Sequence, residues 1–586
     1  PIESEAQRLE RAGEHAEAAR ALTRLAEARD LDASGDAAQL RLRAAEAWLR
    51  AGEAERARGI LVELDQPFDA PTDQARLDLA WAELSYMLGD LSEARLRLAR
   101  AASDLPASEA TRFSLLDDLV RRAEANPARL ALAELEDAIY GDQFSPDLAL
   151  ALLIDHPLAA LTELELQQRH RPELAPWLDL VVTARAVLLD PPRLDDALRA
   201  WAVRHPSVGY PPEAAAAWLE AWRQTRPIAR RIMVALPGND RLQPASQALR
   251  NGLMSAWLAL RPSDRPELLF REVEDTPDGI ISLWFEAREL GVDQLIGPLE
   301  REQVDRLTQL PDAGLPILLL NHPSDPMALE AMSGDIQAVG LIPEEEAELA
   351  AVQALVLGHE RALIIAQSSD WGRRVAQAFE RTFRLGGGRI MDRADYSPTQ
   401  PDQSAMLEVL LNLDHSEQRA ADISRLLGQE VEFEPQPRTD VDLIFLASRP
   451  ADARLLRPQL RFQRVGDLPV FATSQALAGA PTAERDRDLD GMIIPLPPWF
   501  IDDSAFGQDR QRTERRFASL QNPLLSILHA LGADAFELTR WGQRLQDDPA
   551  LYLAGRTGRL RLPSGRRVER DLPFVRIDNG QAGPLQ

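Results

Sequence analysis

The stretch RALIIAQSSDWGRRVAQAF, residues 361–379, carries the local pattern that decides the fold of the larger part of the chain. The apolar run at residues 362–366 predicts a buried strand, because strands covered on both faces of a sheet are apolar throughout. Ser368-Ser369-Asp370 then opens a helical pattern, and these residue types favour helix starts. A strand followed directly by a helix, when repeated along a chain, predicts a parallel sheet with helices on both faces.

The same alternation extends in both directions from this stretch. Upstream, helical patterns at 243–260 and 279–290 separate apolar runs at 232–236, 268–273, 294–296 and 317–320. The alternation restarts near residue 336, and further apolar runs follow at 336–342, 389–392, 443–446, 470–472 and 491–494. Helices are predicted at about 507–517 and 522–545, and a hairpin is predicted around Pro563-Ser564-Gly565. Two successive α/β units predict a body of two lobes.

The first 225 residues follow a different pattern, which is rich in Ala, Leu, Glu and Arg and predicts helices. One spacing occurs three times, as Ala6-Gly13-Ala18-Leu22, Ala45-Gly52-Ala57-Leu61 and Ala82-Gly89-Ala94-Leu98. Small residues let paired helices approach closely, and the glycine suits a helix end that needs a positive φ. The pattern resembles the tetratricopeptide repeat, whose period is about 34 residues, but here the period is longer. The prediction is therefore a TPR-like helical domain, with a generic Ala/Leu helical bundle as the alternative.

Composition excludes several classes of function. The chain has 586 residues and a formal charge of −27, which argues against binding nucleic acid, whose phosphates require a basic surface. The charge also argues against direct adsorption to an anionic membrane. All 66 basic residues are arginine and cysteine is absent, which excludes a P-loop lysine, a Schiff base, a thiol nucleophile and a thiolate metal site. No apolar run reaches the roughly 18 residues needed to cross a bilayer.

The motifs of common hydrolases are also missing. None of the eight histidines forms an H-E-x-x-H pattern, and no G-x-S-x-G nucleophile elbow occurs. Gly386-Gly387-Gly388 precedes a strand, which predicts a turn, because a phosphate cradle lies between a strand and a helix. Glu344-Glu345-Glu346 follows Pro343 and suits the positive end of a helix or a solvated face. We therefore predict no catalytic residue, no metal site and no cofactor.

Two sets of residues are candidates for binding. Ligands of such sheets bind outside the carboxyl ends of the strands, and the cleft-lining candidates at those ends are Pro237, Asn239, Gly297, Pro298, Asn321, His322, Ser368, Ser369 and Asp370. Among them, His322 is the strongest candidate for a ligand-binding residue. The alternative is a structural role, in which hydrogen bonds hold a buried histidine in the loop. Trp499 and Phe500, in the Pro-rich loop 496–500, are candidates for a protein interface. The alternative for this loop is that it packs under the body.

Several segments resemble the type I periplasmic-binding fold. They are IMVALP (232–237), QALRNGLMSAW (247–257), LIGPLEREQV (295–304), LPILLLN (315–321), residues 361–379 and VDLIFLASRPADARLLRPQL (441–460). Within this fold, DLDGMIIPLPPWFIDD (488–503) and LAGRTGRLRLPSGRRVERDLPF (553–574) resemble the LppC family of outer-membrane lipoproteins. The pairing of a TPR-like half with a binding-protein half also resembles that family. The turn Pro237-Gly238-Asn239 is shorter than in the family, which weakens the case for a small ligand there.

The resemblance implies an architecture of class α + α/β. An N-terminal TPR-like helical repeat domain, residues 1–225, is followed by a two-lobed type I periplasmic-binding-protein-like α/β domain, residues 226–586. The first lobe is predicted to take residues 229–340 and 491–548. The second lobe is predicted to take residues 343–489 and 551–582.

The resemblance also implies a function without catalysis. The family's members bind and activate a class A bifunctional penicillin-binding protein, a peptidoglycan synthase, from the periplasmic side of the outer membrane. A lipid anchor upstream of Pro1, outside this chain, would hold the protein there. The alternative is a periplasmic solute-binding protein for an amino acid or similar small ligand. A cleft with Ser or Thr hydroxyls and an acid around an amino group favours the solute binder, whereas an occluded or apolar cleft favours the activator.

Overall fold

The computed structural model describes residues 2–31, 37–64, 68–141, 143–224, 229–427, 429, 434, 436–563 and 565–585. The chain divides into two compact units, Pro1–Glu220 and Ala221–Gln586, which we call the helical unit and the body. Among the described residues, no helix combines the length and the apolar character that crossing a membrane requires.

The helical unit is built from helices that pack on their neighbours in the chain, with a short 3-10 turn at Ala107–Glu109. The helices are α1 Ile2–Ala12, α2 His15–Leu31, α3 Ala37–Arg50, α4 Ala54–Glu63, α5 Pro71–Met87, α6 Leu91–Ala101, α7 Ala110–Glu124, α8 Arg129–Tyr140, α9 Pro146–Leu153, α10 Leu158–Gln168, α11 Ala175–Ala186, α12 Pro191–Arg204 and α13 Pro212–Gln224, the last of which continues into the body. The first three pairs, α1 with α2, α3 with α4 and α5 with α6, coincide with the three copies of the sequence repeat.

The repeated glycines end the first helix of each pair. Gly13, Gly52 and Gly89 have φ angles of 78°, 77° and 81°, a backbone conformation that L side chains adopt at a cost. Asp90 then caps the start of α6 by accepting a hydrogen bond from the Glu93 amide at 3.0 Å. The repeated alanines and leucines are buried in the unit's core. The predicted helix stops and the predicted packing roles of the small residues are confirmed.

The first lobe of the body contains a five-stranded parallel sheet, with strand order β2-β1-β3-β4-β5. Its strands are β1 Arg231–Pro237, β2 Glu267–Val273, β3 Gln294–Ile296, β4 Ile317–Leu319 and β5 Ile336–Ala338. Its helices are α14 Gln243–Ala259, α15 Gly279–Glu289, α16 Arg301–Leu307 and α17 Pro326–Ala331. A later helix, α24 Pro523–Asp547, packs against α14 and belongs to this lobe.

The second lobe contains a seven-stranded sheet, with strand order β15-β14-β10-β9-β8-β6-β7. Its strands are β6 Arg361–Gln367, β7 Arg389–Tyr396, β8 Leu443–Ala447, β9 Val470–Ala472, β10 Met492–Pro495, β14 Phe574–Asp578 and β15 Gln581–Pro584. Its helices are α18 Pro343–Val356, α19 Asp370–Leu385, α20 Ser404–Leu410, α21 Leu413–Leu427 and α22 Pro450–Phe462, and α23 Ala505–Arg516 follows β10. Strands β6 to β10 are parallel, whereas β14 runs antiparallel to β10.

The position of β10 corrects the predicted lobe boundary. Residues 491–548 were all predicted to lie in the first lobe, but Met492 and Ile493 pair with Val470 and Phe471 of the second sheet. The chain therefore returns to the first lobe after β10 and not before it. The physical reason is that β10 bonds to β9 on one edge and to β14 on the other, so both of its hydrogen-bonding edges are used within the second sheet.

The tail forms a small antiparallel sheet of β11 Leu553–Ala554, β12 Arg559–Arg561 and β13 Glu569–Asp571. Leu560 pairs with Arg570, so the predicted hairpin is present, while Ser564 at its turn lies outside the described residues. Gly386-Gly387-Gly388 forms a turn as predicted, with Gly387 at a φ of 94° and the Gly388 amide bonded to the Phe383 carbonyl at 2.9 Å.

Candidate functional site

The carboxyl ends of β1, β3 and β4 lie side by side at one edge of the first sheet. Gly297 has a φ of 108°, and a Cβ atom there would lie 2.2 Å from the Ala235 carbonyl oxygen of β1. Only glycine therefore allows the loop after β3, with its cis Gly297-Pro298 peptide, to approach β1 so closely. The Asn321 side chain donates to the Leu299 carbonyl at 3.0 Å and accepts from the His322 amide at 2.9 Å.

The remaining candidates of this lobe are also engaged in local hydrogen bonds. The Pro237 carbonyl accepts from the Ser246 hydroxyl at 2.8 Å. The Asn239 side chain accepts from the Leu242 amide at 2.9 Å and donates to Glu300 at 3.3 Å. The structure thus brings the six candidates of the first lobe to one edge, where most of their polar groups hold loops in place.

The three candidates of the second lobe end β6 and begin α19. The Ser368 hydroxyl donates to the Tyr396 carbonyl at 3.0 Å, and the Ser369 hydroxyl accepts from the Gly372 amide at 3.1 Å as a helix cap. Asp370 is exposed and pairs with Arg373. These side chains do not line the cavity that contains His322. A grip on an amino group by hydroxyls and an acid, which would favour a solute binder, is not assembled from these residues.

His322 lines a cavity of about 420 Å³ between the loop after β4 and helices α18 and α19. Its side chain is 7% exposed, and its Nε2 atom has no hydrogen-bond partner within the described part of the chain. Burial, together with the nearby cations Arg567, Arg570 and Arg301, lowers the pKa of His322 to about 3. The ring is therefore neutral at physiological pH.

Paired charges form the walls of this cavity. Glu344 pairs with Arg374 at 2.7 Å, Glu348 pairs with Arg381 at 2.5 Å, and Glu345 pairs with Arg567. Three of the four arginines that line the cavity therefore already have a carboxylate partner. A ligand charge would have to compete with these internal pairs.

The β12–β13 hairpin spans the two lobes next to this cavity. On the first lobe, Ala338 donates its amide to the Arg566 carbonyl and accepts from the Val568 amide, both at 2.9 Å, and Glu330 accepts from the Arg566 amide at 3.1 Å. On the second lobe, Glu345 pairs with Arg567. We call this set of contacts the hairpin clamp. Because it joins both lobes, separating the lobes next to the cavity would break these contacts.

One expectation about acids is confirmed and one about aromatics is corrected. Glu344, Glu345 and Glu346 lie in the first turn of α18, as the helix-start alternative predicts. Glu346 is buried and accepts from the Ser474 amide at 2.8 Å, and Glu345 faces the cavity, so the solvated-face alternative does not hold for these two. Trp499 is fully buried, and Phe500 is 8% exposed. Trp499 donates to the Ser526 hydroxyl at 2.9 Å and packs on His529. The prediction of a protein interface at this loop is wrong, because both rings are buried, that of Trp499 against α24.

The family model for the LppC lipoproteins matches residues 14–580 of this chain.

The chain belongs to the LppC lipoprotein family.

Two named relatives and one solved structure extend this result. The penicillin-binding protein activator LpoA of Vibrio antiquarius is 26% identical over 411 residues, which are 68% of this chain and 66%, just under two thirds, of that protein. LpoA of Photobacterium profundum is 24% identical over 530 residues, 86% of this chain and 82% of that protein. The solved structure of Haemophilus influenzae LpoA has a TM-score of 0.50 at 20% identity and covers 94% of this chain and 95% of that one.

These comparisons confirm two predictions. The resemblance to the LppC family is confirmed by the family model, and the fold class, a helical half followed by an α/β half, is confirmed by the structural match. Among the described residues of this LppC protein, no group of three or more His, Asp or Glu side chains is placed to hold a metal ion. The cleft-lining role of the nine candidate residues stays a prediction.

Sequence reasoning missed the hairpin clamp in this LppC protein. Glu345 and Arg567 lie more than two hundred positions apart in the sequence, and no local pattern links them. The one available signal was the density of arginine in the segment RLRLPSGRRVER, residues 559–570, because clustered arginines next to strands require carboxylate partners when they are buried.

The neutral state of His322 makes stability depend on pH. The pKa of His322 is about 3 in the folded chain and about 6.5 in the unfolded chain. Between these two pH values, the ring is protonated in the unfolded chain and neutral in the folded chain. Protonation of the unfolded chain therefore leaves the free energy of unfolding unchanged above pH 6.5 and lowers it as the pH falls toward 3. We expect acidification from about pH 7 to about pH 5.5 to remove about 1 kcal/mol through this residue.

The test compares urea unfolding of wild type and His322→Leu at both pH values. The substitution should reduce the loss of stability between the two pH values by about 1 kcal/mol. His415→Leu, at an exposed position of the body, is the control and should behave as wild type. An identical pH dependence in His322→Leu and wild type would contradict the assignment.

Proposed function

We propose that this protein is a non-enzymatic activator of a class A penicillin-binding protein and acts from the periplasmic side of the outer membrane, where it is held as a lipoprotein. The observation that carries the proposal is membership of the LppC family over residues 14–580. The names of the relatives from Vibrio antiquarius and Photobacterium profundum support it, since both are penicillin-binding protein activators.

The state of the cleft supports an activator over a solute receptor. The hydroxyls of Ser368 and Ser369 are used within the fold, and the hairpin clamp joins the two lobes. A solute receptor requires free polar groups and lobes that move. An activator gains from lobes that are held together, because a rigid surface loses little entropy when it docks.

Activation also sets an energetic requirement. The activator must bind the active conformation of the synthase more tightly than the inactive one, and coupling of about 1–3 kcal/mol is typical of such effects. The body presents the contact in this proposal. With a net charge of −27 on the chain, long-range attraction to a basic region of the synthase would speed association at low salt.

The test mixes the full chain with the purified cognate synthase and follows glycan polymerisation and peptide cross-linking. We expect both rates to rise about fivefold or more, within the range that such coupling allows. Added salt should slow association more than it changes dissociation. The chain alone should release no fragments from peptidoglycan and polymerise no lipid-linked precursor.

Two outcomes would contradict the proposal. Unchanged synthase rates at saturating concentrations of the chain would exclude activation and favour the solute-binding alternative. Release of peptidoglycan fragments by the chain alone would show that it is an enzyme. Calorimetric titration with a mixture of amino acids provides the comparison, since a solute receptor would give binding heat that an activator would not.

A further inference from the structure

A second concave site lies in the first lobe and shares no lining residue with the cavity at His322. It is a groove of about 700 Å³ between α14 and α23, with the start of α24 beneath it. Helix α14 contributes Asn251, Met254, Ser255 and Leu258, whose spacing of three, four and seven residues places them on one face of the helix. We call this site the α14–α23 groove.

The groove exposes large apolar side chains. Leu258 is 54% exposed and Phe517 is 43% exposed, and the half-buried Met254 also lines the groove. Exposed apolar groups that are gathered in a concavity and bordered by polar residues mark binding sites more often than isolated ones do. These side chains form an apolar surface on which a few apolar side chains of a partner could pack.

The rim of the groove is basic, in contrast to the chain as a whole. Arg512, Arg515 and Arg516 line it, while Asp509 is its one acidic member. Helix α14 contains no Asp or Glu. Glu514, which also lies on α23, is turned away, because it accepts from Ser526 at 2.9 Å and pairs with Arg510 at 2.5 Å.

The rim arginines have little internal compensation. Arg512 reaches Asp509 at 3.5 Å, and Arg515 donates to the Gln511 carbonyl at 3.0 Å. Within the described ranges, no carboxylate pairs with Arg516. On a chain with 93 acidic residues against 66 basic ones, a groove with three arginines and one aspartate is a local reversal of charge.

The floor of the groove adds an unused polar atom. His529 lines the groove and is 2% exposed, and its Nδ1 atom has no hydrogen-bond partner among the residues that the structure describes. Its ring packs on Trp499 with a centroid distance of 5.7 Å, which fixes its position. A buried polar atom without a partner is costly unless an occupant of the site bonds to it.

We propose that the α14–α23 groove docks a protein segment that combines carboxylates with apolar side chains, and that this segment belongs to the synthase. The proposal rests on the proposed function. An amphipathic segment would place its apolar face against Met254, Leu258 and Phe517 and its acids beside the rim arginines, as in other complexes where a helix lies in a groove. A lipid is the less suitable occupant, because the strongly acidic chain is repelled by an anionic bilayer.

The test measures binding of the full chain to the purified synthase. The variant Arg512→Glu/Arg516→Glu reverses the rim charge, and we expect its Kd to rise at least about tenfold. The matched control is Arg373→Glu/Arg384→Glu on α19, which reverses two exposed helical arginines that pair with Asp370 and Glu380. Because both double variants change the charge by the same amount, a general effect of net charge would weaken them equally.

An apolar pair of variants completes the test. Leu258→Asp introduces an anion at the groove and should also weaken binding about tenfold, whereas Leu385→Asp, at a leucine that is 83% exposed in the second lobe, should not. All these positions are exposed, so circular dichroism and the unfolding midpoint should match wild type. Weakening by both groove variants with both controls unaffected supports the proposal.

The remaining outcomes overturn it in distinguishable ways. If wild type binds the synthase and the groove variants bind equally well, the groove assignment is wrong while the proposed function stands. If wild type does not bind the synthase at all, both are wrong. If wild type binds vesicles of phosphatidylglycerol and phosphatidylethanolamine, and the groove variants lose that binding but keep the synthase, the occupant is a lipid and not a protein segment.

Discussion

Replacing Gly252 with alanine is expected to lower the free energy of unfolding of the body by about 3 kcal/mol or more. At this position α14 and α24 touch backbone to backbone. A Cβ atom on Gly252 would lie 1.8 Å from the His529 carbonyl oxygen, and a Cβ atom on Gly532 would lie 2.1 Å from the Leu249 carbonyl oxygen. Neither carbonyl is a flexible side-chain end, so the two helices must separate to admit the methyl group.

Denaturant unfolding, followed by the fluorescence of the body's tryptophans, measures this loss. Gly532→Ala should cost a similar amount, because it enters the same crossing from the other helix. Ser255→Ala, one turn along α14 on its exposed side, is the control and should change stability by less than about 0.5 kcal/mol. Normal stability in Gly252→Ala would mean that the helices do not cross at these glycines.

Asp534→Ala is expected to lower the free energy of unfolding by about 3 kcal/mol or more. Asp534 lies on α24 with 1% of its surface exposed. It accepts hydrogen bonds from the Arg556 amide at 2.8 Å, the Thr557 amide at 2.7 Å and the Thr557 hydroxyl at 2.7 Å. Its removal leaves two buried donors of Thr557 and the part-buried Arg556 amide without this acceptor, and it loosens the turn between β11 and β12.

The same unfolding assay tests this prediction. Asp547→Ala, at an exposed aspartate of the same helix, is the matched control and should cost less than about 0.5 kcal/mol. Thr557→Val removes one of the donors together with its bond and should cost about 1 kcal/mol. Equal effects of Asp534→Ala and Asp547→Ala would show that the buried hydrogen bonds do not carry the stability assigned to them.

The strands and helices of the two lobes could be predicted because their signals are local. A buried parallel strand is an unbroken apolar run, as in β6 and β8, and each run ends at residues that start a loop or a helix. The helix stops of the helical unit were predictable for a similar reason, since Gly13, Gly52 and Gly89 occur at one spacing.

The sheet to which β10 belongs could not be predicted, because strand order depends on partners that are distant in the sequence. β10 pairs with β9 on one side and with β14 on the other, and β14 lies about eighty residues further along the chain. The alternation of β14, with Val575 and Ile577 buried and Arg576 and Asp578 exposed, is typical of a strand, but this local pattern does not indicate which strand it pairs with.

The candidate sites were predictable only in part. The carboxyl ends of the first sheet's strands do meet, as parallel topology requires. The sequence does not show, however, that the Asn321 side chain is already hydrogen-bonded to the backbone of Leu299 and His322. The aromatic loop at Trp499 has the composition of an interface, and its burial depends on Ser526 and His529 of a later helix. Arg515 and Arg516 lie in the last turn of α23, where arginine is common because it suits the helix dipole, so their pattern in the sequence does not indicate a groove.

The crossing of α14 and α24 also has a consequence for the order in which the molecule can assemble. Helix α14 begins at Gln243, but its partner α24 begins only at Pro523, after the whole first sheet and five strands of the second have been made. Until α24 has followed, the face of α14 around Gly252 has no partner to cover it. Neighbouring helices complete the helical unit early, since its contacts are local. The first lobe finishes late, and a chain interrupted before residue 523 would carry an uncovered apolar surface that favours aggregation.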